Sequence, residues 1–267
     1  MSTLAGVAIC VLGLLVGSFA NVAIHRWPRG GSVNVPNRSV CPACEQPIAA
    51  RDNIPVVSWL RLGGRCRHCG EPIAVRYLLV EVATGLLFLA VALVHGDTPW
   101  LLPALLALTW SLVVATATDL EHRRIPNVLT LRLPLVLTPL LLLAAWQAEA
   151  WTDLRRALIA GVAVPAGMFA FSELFRLLRG KQGIGMGDVK LAISLGLVLG
   201  YLGGWELVIW FYGTAVSGAL VAGVLVVSGR ASMASRIPFG PYLALGAMVA
   251  ILLAAPLTSL LEPFFTV

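Results

Sequence analysis

Long uninterrupted blocks of apolar residues dominate the chain, without the strict alternation of a half-exposed strand. About eight blocks stand out, at roughly 4–24, 77–95, 100–118, 128–147, 157–178, 189–204, 205–228 and 241–261, and runs near 18 residues or more are long enough to cross a bilayer as helices. The sixth block is short and glycine-rich, as suits a helix that tilts or packs deeply against its neighbours. The pattern predicts an all-α polytopic membrane protein of about eight transmembrane helices. Residues 1–24 form the first helix, 25–76 a polar loop region and 77–267 a seven-helix membrane domain. No low-complexity linker and no convincing short repeat interrupts this plan.

Composition agrees with lipid as the main solvent, since 58% of residues are hydrophobic and only 12% charged. Soluble domains run closer to half apolar and a quarter charged. The net charge of +6 would by itself suggest a polyanionic partner, but its distribution fits membrane topology better. With the N-terminus outside, the inner loops are 25–76, 119–127, 179–188 and 229–240. These loops and their flanks hold every Lys and Arg except Arg155 and Arg156. The acids Asp97, Glu149, Asp153, Glu206 and Glu262 fall on the outer side. Basic residues retained inside account for this asymmetry, so the long loop is expected in the cytoplasm and no nucleic acid is expected as partner. The first block could be misread as a secretory signal peptide. Its basic residues follow the apolar stretch instead of preceding it, so it reads as a retained helix.

Four of the five cysteines form two C-x-x-C pairs in the long loop, Cys41 with Cys44 and Cys66 with Cys69. Each pair can present two thiolates from one tight turn, and two turns complete a tetrahedral four-thiolate site, as in zinc ribbons. Pro42 and Gly70 suit such turns, and Arg65 and Arg67 would offset the negative charge of four thiolates on a dication. Disulfides are disfavoured in a reducing cytoplasm. Four thiolates leave no open coordination position, so the expected zinc ion is structural. Cys10, alone in the first block, reads as a small apolar filler.

Two acids remain at the lip of apolar blocks on the inner side. Asp119 follows the third block in ATATDLEHRRIPNVLTL, and Asp188 opens the sixth in GIGMGDVKL. Carboxylates at that depth are costly unless something uses them. Two that face each other share a single proton, so one can activate water while the other protonates a carbonyl oxygen. Gly185 and Gly187 leave backbone uncovered, where an extended substrate can approach. The bland readings also stand at this point. Asp188 can simply cap a helix, and proton or cation carriers also use intramembrane carboxylates. Asp119 is harder to dismiss, because a helix C-terminus disfavours negative charge.

Taken in order, GSFANVAIHRWP, CPAC, NIPVVSWL, GRCRHCG, RYLLVE, DLEHRRIPNVLTL, GMGDVKL and IPFGPYLA resemble the motifs of the bacterial prepilin peptidases, the type 4 prepilin leader peptidase/N-methyltransferases. The resemblance spans most of the chain. It implies cleavage of a basic leader from type IV prepilins and type II secretion pseudopilins, at the cytoplasmic face of the bacterial inner membrane, beside lipid. It implies Asp119 and Asp188 as the catalytic pair. It also implies methylation of the new N-terminal amine with S-adenosyl-L-methionine, an activity that accompanies the tetracysteine loop in the family. No glycine-rich nucleotide signature marks where that donor binds. Leu78 stands where many members have Pro, and Arg123 and Arg124 are read as marking the inner face. Glu81 and Glu173, near inner helix ends, are read as structural.

Overall fold

The computed structural model describes residues 2–34, 39–180, 183–230 and 237–265, with residues 258–265 described by backbone alone. Parts of the predicted inner loops, at 35–38, 181–182 and 231–236, lie outside the described residues. Among the described residues the chain is helical: α1 (Thr3–Arg26), α2 (Val57–Arg61), α3 (Val75–His95), α4 (Leu102–His122), α5 (Asn127–Ala148), α6 (Trp151–Arg179), α7 (Met186–Leu202), α8 (Gly204–Val227) and α9 (Gly240–Phe265). Extended pairing among these residues is limited to two isolated bridges, Val40 with Pro47 and Arg65 with Pro72.

Among the described residues, seven helices are long and apolar enough to cross a membrane. The predicted sixth span is α7, which is helical but has only 17 residues and is not among those seven. At 1.5 Å per residue it reaches about 25 Å, at the short end for a bilayer core of about 30 Å. Its setting explains how it tolerates this length. It packs against α4, α5, α6, α8 and α9, and nearly every residue from Asp188 to Tyr201 is buried in protein.

The chain divides into two compact units, Met1–Asp97 and Thr98–Val267. In the first, α1 and α3 lie side by side along a ladder of small residues. A Cβ on Gly13 would stand 2.8 Å from the Gly85 Cα, and one on Gly17 would stand 2.9 Å from the Glu81 Cα. Without a hydrophobic drive between helices in lipid, close backbone approach of this kind is what holds such pairs. The second unit uses the same device between α6 and α7. There a Cβ on Gly200 would meet the Ala160 Cβ at 2.6 Å, and one on Gly196 would overlap the Ala160 carbonyl oxygen. Where α8 meets α9, a Cβ on Gly213 would lie 3.2 Å from the Gly246 Cα.

Candidate active site

Three helix ends converge in the second unit. Helix α4 continues past its apolar block to His122, so Asp119 lies inside the last turn of the helix and not after it. Asp188 sits three residues after Gly185, the residue that precedes α7 in extended conformation. Both acids are buried, at 7% and 8% exposure. The charge of Asp119 is felt directly at Asp188, so the structure brings the two sequence-predicted acids together.

Each carboxylate is held by the backbone of a glycine. Asp119 Oδ2 accepts the Gly240 N–H at 2.8 Å, at the first residue of α9. The N-terminus of α9 therefore supplies the partial positive charge that the C-terminus of α4 denies Asp119. Asp188 accepts from the Gly185 N–H, reaching back over the start of its own helix as in half of a capping box. The capping reading of Asp188 is thus met in part, and it coexists with the approach of Asp119. The glycines of G-x-G-D have packing reasons as well. A Cβ on Gly185 would stand 2.8 Å from Asp188 Oδ2, and one on Gly187 would press on the Ile125 Cβ at 3.3 Å.

Supporting contacts fix the segments around the pair. The Ser172 hydroxyl on α6 meets both backbone groups of Ile184, donating to its carbonyl at 3.2 Å and accepting from its N–H at 3.3 Å. Lys190 donates to Asn127 Oδ1 at 2.9 Å, tying α7 to the start of α5. Glu173 pairs with Arg176 at 2.6 Å on the same helix and is a solvated surface pair. Gly240, Ser172 and Ile184 were missed as site residues by sequence reasoning. The one available signal was the glycine of IPFGPYLA, whose partner is far away in the chain.

The first unit gathers the four paired cysteines, whose sulfurs all lie within 4.8 Å of one another. Cys41 Sγ and Cys69 Sγ are 3.9 Å apart, close to the edge of a tetrahedron with metal–sulfur bonds of about 2.3 Å. The two turns are copies of one another. Cys41 N–H bonds to Gln46 O at 3.0 Å and Cys66 N–H to Glu71 O at 2.9 Å, while Glu45 and Gly70 take equivalent left-handed positions. The repeat is visible in the sequence as CPACEQPI and CRHCGEPI, which corrects the reading that no short repeat exists. Backbone N–H groups of Cys69 and His68 pull the Cys66 thiol down to about 6. At Cys69 the Glu71 N–H also lowers the pKa, but burial and the thiols of Cys44, Cys66 and Cys41 push it up to about 12. Four thiols at one point cannot all ionise alone, and a dication supplies the missing charge. The cluster fits a zinc site on donor type, number and spacing. Arg67 does not face the thiolates as expected. It forms a two-point ion pair with Asp52, at 2.6 and 2.7 Å, which ties one cysteine turn to the intervening segment.

Comparison with known proteins fits both units. Residues 106–261 match the profile described as "Type IV leader peptidase family". The chain belongs to the type IV leader peptidase family. Residues 11–95 match the accompanying "Bacterial Peptidase A24 N-terminal domain". A prepilin leader peptidase/N-methyltransferase of Stutzerimonas stutzeri is 37% identical over 93% of this chain and 91% of its own. One from Aeromonas hydrophila is 38% identical over 91% and 89%. In Escherichia coli O78:H11 a "Type 4 prepilin-like proteins leader peptide-processing enzyme" is 37% identical over 91% and 92%. No solved structure matches. With its family and its spans, the chain is a multi-pass inner membrane protein.

Proposed function

We propose that this family member removes the basic leader peptide from type IV prepilins and pseudopilins and methylates the new N-terminal residue. The relatives' shared name supports both activities. The observation that carries the peptidase chemistry is the pair of buried acids, each anchored by a glycine N–H. We assign Asp119 and Asp188 as the catalytic pair, sharing one proton. The ionised carboxylate takes a proton from water as it attacks the scissile carbonyl. The protonated one donates to the carbonyl oxygen, and the leaving amine is protonated as the intermediate collapses. No acyl-enzyme forms. The substrate strand is assigned a path past Gly185 and Gly187.

The distribution of Lys and Arg supports a periplasmic N-terminus, with both acids on the cytoplasmic side. Their place at helix ends, and not at mid-helix breaks, separates this reading from a carboxylate ion carrier. We assign peptidolysis to residues 98–267, the second unit, and methyl transfer to the first unit, which includes the loop 25–76. Cys41, Cys44, Cys66 and Cys69 would hold a structural zinc ion that orders this loop. S-adenosyl-L-methionine is the proposed methyl donor.

The test is incubation of purified enzyme with a prepilin, with and without S-adenosyl-L-methionine, followed by mass spectrometry of the product. Asp119→Asn and Asp188→Asn abolish leader removal while the protein stays in the membrane. Near-normal processing by either variant would sink the assignment.

A further inference from the structure

Glu81 sits inside the α1–α3 pair at 8% exposure, and among the described residues no cation answers it. Its Oε2 accepts the Val56 N–H at 2.7 Å, and the Ser18 hydroxyl of α1 is its other partner. A carboxylate held inside a membrane helix pair by neutral donors alone is a functional candidate by default. On the same face of α1, one turn beyond the Gly17 that packs on Glu81, lies Asn21 at 3% exposure. Its Nδ2 donates to the Tyr77 carbonyl at 3.0 Å, which fixes the carboxamide. Its Oδ1 is buried and meets no donor among the described residues. One seam therefore holds a buried anion and, a turn away, a buried acceptor with nothing to accept.

The donor on Glu81 comes from a strained place. Val56 has φ +63° and ψ −53°, and Val57 N–H closes on Pro55 O at 2.6 Å. That is a γ-turn of the rare left-handed kind, at a β-branched residue for which positive φ is a true outlier. Strain of this sort persists only where surroundings enforce it, and here the Glu81 carboxylate does so. Ile54 and Val57 beside the turn are about half exposed, at 48% and 54%. A better donor arriving at Glu81 would therefore let the turn relax and withdraw.

A primary ammonium has the matching chemistry, with three N–H donors and a positive charge. We propose that Glu81 and Asn21 form the site that binds the primary amine to be methylated, with the Pro55–Val57 turn as its cover. This rests on the methyl-transfer reading above and gives that reaction its acceptor site. The bound ammonium passes one proton to the Glu81 carboxylate. The freed lone pair forms the N–C bond to the methyl group of the S-methyl sulfonium donor as the C–S bond breaks. That bond's electron pair stays on sulfur, which leaves as a neutral thioether, and the product departs as a secondary ammonium. Glu81 then returns its proton to water.

The test uses the full-length enzyme with a prepilin and S-adenosyl-L-methionine, reading leader loss and methylation separately by mass spectrometry. Glu81→Gln lowers the methylation rate on the order of 10²- to 10⁴-fold, the usual reach of a general base, with leader removal within about twofold. Asn21→Leu leaves Glu81 in place and raises KM for the methylation step about tenfold or more, again sparing leader removal. If Glu81→Gln methylates at the wild-type rate, or if neither Glu81→Gln nor Asn21→Leu separates the two activities, the proposal is overturned. Failure of the wild-type enzyme to methylate at all would overturn the methyl-transfer reading itself, and this site with it.

Discussion

The contact between Gly240 and Asp119 makes the sharpest demand on the proposed catalytic pair. The Gly240 N–H donates to Asp119 Oδ2 at 2.8 Å. A methyl group in place of the glycine hydrogen would stand 2.9 Å from that oxygen, 3.2 Å from the Asp119 Cβ and 3.4 Å from its Cγ. The first of these is closer than real Cβ atoms come, so Gly240→Ala must push the carboxylate away from the amide. A hydrogen bond to a charged group contributes about 1.5–3 kcal/mol, and 1.4 kcal/mol is a factor of ten. Loss of this anchor therefore lowers kcat for leader removal about 10- to 100-fold, in line with the cost of misplacing a reacting group by about 1 Å. KM for the precursor changes little, because the substituted atom faces the aspartate and not the solvent. The assay is initial-rate cleavage of a purified prepilin in detergent, with membrane level as the folding control. Gly223→Ala is the matched comparison, since a Cβ there meets nothing within 4 Å. Wild-type kcat in Gly240→Ala would refute the claim that this amide positions Asp119.

Gly196→Ala places a Cβ against the backbone of Ala160, 2.8 Å from its carbonyl carbon and 3.0 Å from the Gly161 nitrogen. Backbone cannot step aside, so the variant loses about 1–3 kcal/mol, read as a lower melting temperature in detergent; Gly167→Ala, with open space around it, does not. Ser172→Ala frees the Ile184 backbone ahead of G-M-G-D and lowers kcat for cleavage about tenfold, because two hydrogen bonds of about 1 kcal/mol each are lost from the segment that aims Asp188. Cys66→Ser removes bound zinc, measured by metal mass spectrometry, while leader removal persists. In the wild type the Cys66 thiol is drawn from 9.0 to about 6, so its stabilising effect is complete above 9.0 and lost as pH falls through about 6. Zinc release on acidification follows that direction, and metal content unchanged after chelation at low pH would contradict the four-thiolate site.

What could be read from the sequence follows the range of the interactions. Helix positions were legible because lipid demands continuous apolar runs. Helix ends were not, since a helix satisfies its own backbone and carries on into the polar interface. The third block ends at about residue 118 by apolarity, whereas α4 runs to His122, which moves Asp119 from a loop into a helical turn. The cysteine turns were legible because each is closed within a few residues. Their repetition is carried by a sparse C-x-x-C-x-x-P-I frame, four identical positions in eight, which is thin beside the cysteine spacing itself. The Gly240 anchor of Asp119 spans 121 residues, and the Val56 turn depends on a backbone angle that no valine advertises. Both are set by tertiary contact, where local pattern carries no signal.

The pairing of each aspartate with a glycine amide follows from what the chemistry requires. A shared proton needs two carboxylates whose ionised and neutral forms are close in free energy. A lysine or arginine beside them would hold both as anions and leave no proton to donate. Helix starts offer a weaker, fixed partial charge that steadies one negative charge without adding a full positive one. The site uses two of them, at Gly240 for Asp119 and at Gly185 for Asp188. The nearest base in the chain to Asp188 is Lys190, and its ammonium is turned onto Asn127. Glycine at 240 and 185 then has one cause in both motifs: each carboxylate stands where any Cβ would intrude, so the amide can reach it only from a residue that has none.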